Sequence, residues 1–365
     1  MKPRQGALPY QLIKEMLSAG YIQGGSIDNI QPASLDLTIT DKIYRMKGSY
    51  LPRTGETIRS LVDQGSLFQH HPDRPLERDG IYLIELAERV ALPPGIHAIT
   101  SNKSSSGRIN LRGRLLADGV ARFDEIPAGY QGSLWIEVVP KSFPIQLHPG
   151  DRVNQMRFFY GDARLDALEH RMIYDRFHVL RDGEGQPLPA SDATVSKGVT
   201  MTIDLTSVDI IGWKAKRAVS SILDTAKFDH DPEAFFDPVF KPTSGELVLH
   251  PEEFYILSTK ERIIVPPDYA CEMAPYDPSK GEFRSHFAGF FDPGWGWQAT
   301  DEKDRGTIGV LEVEAYSHDF VLRDGQPICL MVYEHMVAPP ERLYGADLKS
   351  NYSGQQGPRL AKWFR

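Results

Sequence analysis

Cysteine is nearly absent. The 365 residues contain two, Cys271 and Cys329, too few for a disulfide framework or a thiolate metal cluster. Long apolar runs are missing as well. No stretch of about 18 apolar residues occurs, so a membrane-spanning helix is not expected. The opening Met1-Lys-Pro-Arg-Gln-Gly6 has no apolar signal-peptide core, which points to a cytoplasmic protein. There is no surplus of positive charge either. The net charge is −8, with lysine and arginine scattered along the chain, so neither a nucleic-acid polymer nor a membrane surface is an expected partner. A small anionic ligand remains compatible, because a few placed arginines and backbone N–H groups are enough to hold one.

What the chain does have is glycine (31) and proline (27), spaced between short runs of β-branched and aromatic residues. That pattern predicts a mainly β protein with few short helices. One amphipathic helix is expected over Tyr10–Gly20, ending at its glycine.

The sequence also repeats itself. Tyr82-Leu-Ile-Glu-Leu-Ala-Glu-Arg-Val-Ala-Leu-Pro-Pro-Gly95 recurs without a gap as Tyr255-Ile-Leu-Ser-Thr-Lys-Glu-Arg-Ile-Ile-Val-Pro-Pro-Asp268, at an offset of 173. Trp135-Ile-Glu137 answers Val310-Leu-Glu312, and Leu147–Gly150 answers Leu322–Gly325, both at 175. Leu35-Asp-Leu-Thr38 matches Ile203-Asp-Leu-Thr206 at 168. Ordered matches of this kind mark a tandem duplication. The expected joint is the polar, glycine- and proline-bearing stretch Arg181–Asp192. It gives a first repeat over 1–185, a linker over 186–198 and a second repeat over 199–365.

Several segments resemble the dCTP deaminase branch of the dUTPase superfamily. Ile30-Gln-Pro-Ala-Ser-Leu-Asp-Leu37 is similar to that family's opening strand. Lys103-Ser-Ser-Ser-Gly-Arg108 is similar to its Arg-Ser-Ser-x-Ala-Arg phosphate motif. Phe291-Asp-Pro-Gly-Trp295 and Val310-Leu-Glu312 are similar to its nucleoside hairpin and catalytic strand. Tyr344 with Tyr352-Ser-Gly-Gln-Gln-Gly-Pro358 is similar to its closing tail. The resemblance implies two β-clip (distorted jelly-roll, dUTPase-like) units and deamination of dCTP to dUTP without zinc. It also implies magnesium carried on the triphosphate and a homo-oligomer.

The repeats depart from the family pattern in opposite ways. The first keeps the serine–arginine motif but has Asp124-Glu-Ile-Pro-Ala-Gly-Tyr130 where Asp-Pro-Gly-Trp is expected. The second keeps hairpin, Val-Leu-Glu and tail, has only Ala274-Pro-Tyr-Asp-Pro-Ser-Lys280 in place of the serine motif, and lengthens its hairpin by Gly296–Arg305. Since single-length relatives build each site from two subunits, the resemblance implies complementary halves.

Deamination at C4 of cytosine needs an activated water and a proton donor for the ring and the leaving amine, roles one dry carboxylate can combine. Glu312 is the first candidate and Glu137, at the same place in repeat one, the second. Ser104, Ser105, Ser106 and Gly107 offer hydroxyls and close backbone approach to phosphate, and Lys103 and Arg108 offer charge; alone, such a serine run is a flexible loop. Arg108 is also a candidate for stabilising charge on the attacked ring or water. The resemblance assigns Asp292 to the deoxyribose 3'-hydroxyl, Trp295 to the wall of the sugar pocket, Val310 and Leu311 to the pocket strand, and Tyr344, Gln355, Gln356 and Gly357 to a lid that orders over the triphosphate.

Zinc deaminases carry Pro-Cys-x-x-Cys beside His-x-Glu. His250-Pro-Glu252 matches the second element, but Pro-Cys-x-x-Cys is nowhere in the chain. A dUTP diphosphatase using Asp124 or Asp292, a bifunctional enzyme making dUMP, and a catalytically dead nucleotide-binding protein are the alternatives.

Overall fold

A computed structural model describes residues 4–189, 195–274, 283–286, 289–297, 305–315, 317–345, 352 and 354–365, with backbone alone for 283–286. The first helix, α1, runs Tyr10–Ser18 and buries Tyr10, Ile13 and Met16 at helical spacing. The chain leaves it through Gly20 at φ +81, a conformation glycine adopts without steric cost.

The chain forms two compact units. Unit 1 gathers residues 1–162, 217–235 and 361–365; unit 2 gathers 163–216 and 236–360. The division therefore falls at 162/163 rather than in the polar stretch 181–192, whose residues 181–189 belong to unit 2 and whose residues 190–192 lie outside the described residues. Two later segments return to unit 1. Residues 145–146 pair in parallel with 223–224, and His230 forms a parallel bridge with Phe364.

Unit 1 is built on six principal strands, β1 (Leu35–Met46), β2 (Tyr82–Ala91), β3 (Ile96–Asn102), β4 (Leu111–Ala117), β5 (Gln131–Pro140) and β6 (Arg152–Tyr160). They pair antiparallel in the order β4-β5-β2-β1-β6-β3. Leu35, Leu37, Ile84, Ile136 and Met156 are wholly buried in its core. Two helices break the β pattern, α2 (Ile58–Gly65), capped by Thr57, and the single turn α3 (Ser104–Gly107).

Unit 2 repeats the plan with β7 (Val199–Thr202), β8 (Ile210–Ala215), β9 (Phe254–Ile263), β10 (Tyr269–Ala274), β11 (Thr307–Ala315) and β12 (Pro327–His335), preceded by α4 (Ala167–Phe177). The correspondence is in the register. Leu83 faces Glu137 across β2 and β5, and Ile256, 173 residues on, faces Glu312 across β9 and β11. The irregularity between Glu85 and Arg89 recurs between Ser258 and Arg262. The long β1 corresponds to two pieces, β7 and β8, so the continuous sheet of unit 1 is two sheets in unit 2.

The register corrects one repeat match. Arg152 pairs Thr38 and Asn154 pairs Leu37; Pro327 pairs Thr202 and Cys329 pairs Met201. A buried glutamate confirms the alignment, for Glu88 accepts from Thr38 N–H at 2.9 Å as Glu261 does from Thr202 N–H at 2.8 Å. The true offset is 164, so Asp36 corresponds to Thr200. The Leu-Asp-Leu-Thr likeness at 168 is accidental, since Asp204 instead caps the turn at Thr206 and Ser207.

Candidate active site

In unit 1 the predicted phosphate motif closes β3. Lys103 precedes α3, whose Ser105, Ser106 and Gly107 are buried, and Arg108 is 2% exposed. Ser104 opens the turn and accepts the Arg108 N–H at its carbonyl, 3.0 Å away. Lys103 forms an ion pair with Asp36, itself buried in β1. Around this turn several polar atoms are buried without a hydrogen-bond partner: Ser106 Oγ, Asn102 Oδ1, one oxygen of Asp36 and the whole amide of Asn154. Asn154 lies directly across from Asn102 in the β6–β3 ladder. Orphaned buried polar atoms each cost about 1–3 kcal/mol, and they recur at sites built for something other than stability.

Glu137 lies on the strand next to the one against which this turn packs. α3 packs on β4, and β4 pairs with β5 so that Arg114 stands directly opposite Glu137. Strand alternation puts Trp135, Leu83 and Leu116 on the Glu137 face. There they join Tyr44 and the α2 residues Ile58, Leu61 and Val62 in a satellite apolar cluster. This burial raises the proton affinity of the Glu137 carboxyl above the ordinary glutamate value. The Ser49 hydroxyl, the Arg112 and Arg114 guanidiniums and the Tyr50 backbone N–H oppose the rise.

Arg114 is shared. It also ion-pairs with Asp124, which accepts from Leu115 N–H at 2.7 Å and from the Thr100 hydroxyl at 3.2 Å. Arg114, Asn154 and the α2 cover carry no local motif; their signal is register, which pairs residues far apart in sequence.

In unit 2 the hairpin Asp292-Pro-Gly-Trp295 is a tight turn. Trp295 N–H donates to Asp292 O at 3.1 Å, and Trp295 O accepts from Val265 N–H at 2.8 Å. The counterparts in unit 1 are Tyr130 N–H to Pro127 O at 3.2 Å and Leu92 N–H to Tyr130 O at 2.8 Å. Trp295 therefore corresponds to Tyr130, and Asp292 to Pro127. Asp124 has no equivalence to Asp292, so the first hairpin lacks its aspartate.

Trp295 is 6% exposed in the unit 2 core, its ring 4.9 Å from those of both Phe291 and Tyr344. Leu311 is wholly buried in the same core with Val313 and Ala315. Alternation turns it away from Val310 and Glu312, which are 9% and 7% exposed.

Glu312 faces His286 in the ladder, where Glu137 faces Arg114. In the tail, Gln355 is buried and donates to Ile308 O at 2.9 Å, while Gln356 is exposed and Gly357 half-exposed. The segments 275–280, 298–304, 346–351 and Ser353, which complete the serine-motif counterpart, the hairpin extension and the tail, lie outside the described residues.

Among the described residues no three His, Cys, Asp or Glu side chains are grouped to hold a metal ion, and no helix is long and apolar enough to cross a membrane. Cys271 and Cys329 are wholly buried, and burial pushes the Cys329 thiol far up, keeping it protonated.

Comparison with known proteins identifies the family. Residues 4–162 match the family model of the 2'-deoxycytidine 5'-triphosphate deaminase N-terminal domain, and residues 179–364 match that of its C-terminal domain. The chain belongs to the dCTP deaminase family. It is 35% identical to the crystal structure of 2'-deoxycytidine 5'-triphosphate deaminase from Agrobacterium tumefaciens, with a TM-score of 0.83 over 92% of this chain and 99% of that one. A dCTP deaminase of Natronomonas pharaonis is 30% identical over 137 residues, 37% of this chain and 65% of that protein. A "dCTP deaminase, dUMP-forming" of Methanosphaera stadtmanae is 31% identical over 140 residues, 37% of this chain and 66% of that protein. The matched region thus spans just under two thirds of either relative. The mainly β, dUTPase-like fold read from the sequence is the fold of this family.

Proposed function

We propose that the protein hydrolyses dCTP to dUTP and ammonia, with Glu137 as the proton-transferring carboxylate. The observation that carries this reading is a buried glutamate of raised proton affinity, set opposite Arg114 in the same unit as the buried Ser105–Arg108 turn. A general acid–base group works best when its pKa approaches the operating pH, and burial moves Glu137 that way. Glu137 takes a proton from water as the oxygen adds to C4 of the cytosine and hands that proton to N3. The carboxylate then takes the proton of the new C4 hydroxyl and passes it to the amino group, which leaves as ammonia as the C4 carbonyl forms. Arg108 stabilises the charge that develops on ring and water, while Lys103 and the serine hydroxyls hold phosphate oxygens. Magnesium enters as part of the substrate, bound to its triphosphate, and no step calls on zinc.

A second reading, release of dUMP, is favoured by the dUMP-forming relative. It would need a further water to attack the α-phosphate, and Asp292, 7% exposed, is the hairpin aspartate left to activate it. Incubation with Mg–dCTP separates the readings. Ammonia and dUTP in equal amounts support the first, ammonia with dUMP and pyrophosphate the second. Nucleotide binding without any product would leave a binding protein and overturn both.

A further inference from the structure

The chain's last residues return to unit 1 and are pinned there. Ala361, Trp363 and Phe364 are buried. Trp363 Nε1–H donates to Thr225 O at 3.0 Å, His230 N–H donates to Trp363 O at 3.0 Å, and Phe364 packs on Phe235 with ring centroids 5.7 Å apart. Thr225 in turn donates from its hydroxyl to Asp151 at 2.6 Å, and Arg152 follows Asp151 in the chain. Lys362, between two buried neighbours, thus has its position set. Its ammonium lies 5.3 Å from the Trp363 ring centroid and 5.7 Å from that of Phe228.

What surrounds that ammonium is unusual for a lysine. Lys103 and Arg152 repel it, and Asp151 and Asp36 attract it. Both carboxylates are already engaged. Asp36 pairs with Lys103, and Asp151 accepts from Thr225 and from His148 N–H at 2.8 Å. Burial and the like charges together hold the Lys362 proton affinity below the ordinary lysine value. Lys103 N–H donates to Val153 O at 3.2 Å, beside Arg152, whose guanidinium donates to Asn29 Oδ1 at 3.2 Å. Three cations brought in by separate segments, beside a turn with an unsatisfied Ser106 hydroxyl, form a site that an added polyanion would stabilise.

We infer that Lys362 and Arg152 complete the polyphosphate-binding site of unit 1, with Lys103 as the third cation. The inference rests on reading Lys103–Arg108 as the phosphate motif and adds residues that no motif marks. In unit 2 the position of Arg152 is Pro327 and that of Asp36 is Thr200, so the cluster belongs to unit 1.

The test is calorimetric binding of Mg–dCTP, inorganic tripolyphosphate and deoxycytidine to the full chain, with Lys362→Met, Lys362→Arg and, as control, Lys14→Met on the exposed side of α1. Lys362→Met should weaken dCTP and tripolyphosphate about tenfold or more, the worth of a charged hydrogen bond. Lys362→Arg should recover most of the loss. The ligand-free Tm of Lys362→Met should equal or exceed that of wild type, because a repelled charge has gone. Unchanged tripolyphosphate binding by Lys362→Met would overturn the inference, as would an equal loss with Lys14→Met. So would a lowered ligand-free Tm with binding restored by folding conditions alone. Should the methionine variant fail to fold, Lys362→Gln carries the same expectations. Failure of wild type itself to bind dCTP or tripolyphosphate would instead sink the deaminase reading on which the inference stands.

Discussion

Glu137 and Glu312 occupy the same register position in two copies of one fold, yet their surroundings differ. Glu137 faces Arg114 and is covered by Trp135, Tyr44 and α2; Glu312 faces His286. Near the phosphate turn, Asp36, Arg152 and Asn154 of unit 1 stand where unit 2 has Thr200, Pro327 and Cys329. Strand pairing, the irregularity at Glu85–Arg89 and a glutamate accepting from the amide of Thr38 or Thr202 survive in both units. The comparison teaches that duplication preserves what the sheet needs, namely alternation and register, while the charged positions at Asp36 and Arg152 are not kept at Thr200 and Pro327. A shared fold is therefore no warrant for a shared function between the units.

The largest test of this asymmetry is kinetic. Glu137→Gln should lower turnover of dCTP by about 10²–10⁴-fold, the usual value of a positioned acid–base group, while Glu312→Gln should leave it within a few-fold. Ammonia release measured on both variants decides, and a large loss confined to Glu312→Gln would move the catalytic carboxylate to unit 2. Arg108→Ala should weaken binding as well as rate, which separate KM and kcat values would reveal.

Next in size is the hairpin pair. Gly294 sits at φ +98, and a Cβ there would lie 2.8 Å from Tyr344 N. Gly129, its counterpart at φ +75, has open space around it. Gly294→Ala should therefore cost about 1–3 kcal/mol more than the left-handed penalty alone, while Gly129→Ala pays only that penalty, about 1–2 kcal/mol. Denaturant midpoints that fall equally would show that the second hairpin is no tighter than the first.

The smallest effects concern pH, and here the two units respond in opposite senses. Glu137 has a raised proton affinity in the fold. Its contribution to stability is full below the ordinary glutamate pKa and is lost as pH rises through the folded value. Glu137→Gln should thus raise Tm near neutral pH and not near pH 4. The same raised affinity should place the acid limb of kcat/KM above the ordinary glutamate range, and Arg114→Met should move it higher still.

His170 of α4 is wholly buried and accepts the Tyr333 N–H at 3.0 Å, and burial lowers its proton affinity. Its contribution is full above the ordinary histidine pKa and lost as pH falls from there through the folded value. His170→Gln should flatten that acid-side decline of Tm; an unchanged slope would refute the assignment.

Much of the frame was legible because β structure writes itself with period two and duplication writes it twice. The Tyr82 and Tyr255 segments became β2 and β9, and the two Val/Ile-Glu strands became β5 and β11. Helices fared less well. α4 begins with a capping box, Asp166 with Glu169, visible as Asp-x-x-Glu but lost in a stretch read as leading to a linker. α2 carries its apolar residues on one face over only eight positions, too short to outweigh the surrounding glycine and proline. The phosphate turn and Glu137 were readable as local motifs. Arg114 and Lys362 were not, because each reaches its site through pairing or chain return between residues distant in sequence. Asp124 was misjudged for the converse reason: residue type matched, whereas the hydrogen bonds of the turn equate Pro127 with Asp292.

Unit 1 is assembled from three separate pieces of chain, the last being residues 361–365. A ribosome adding about 5–20 residues per second therefore completes unit 2's span before it supplies the final piece of unit 1. The bridge from His230 to Phe364 and the Trp363–Thr225 bond cannot form until those residues have cleared the exit tunnel. A nascent chain arrested between residues 235 and 361 already carries Glu137, Arg108 and Lys103, but lacks the segment that holds Thr225 and His230 in their unit. Unit 1 is thus closed by a segment that follows the whole of unit 2, so it is complete only after unit 2 has been made.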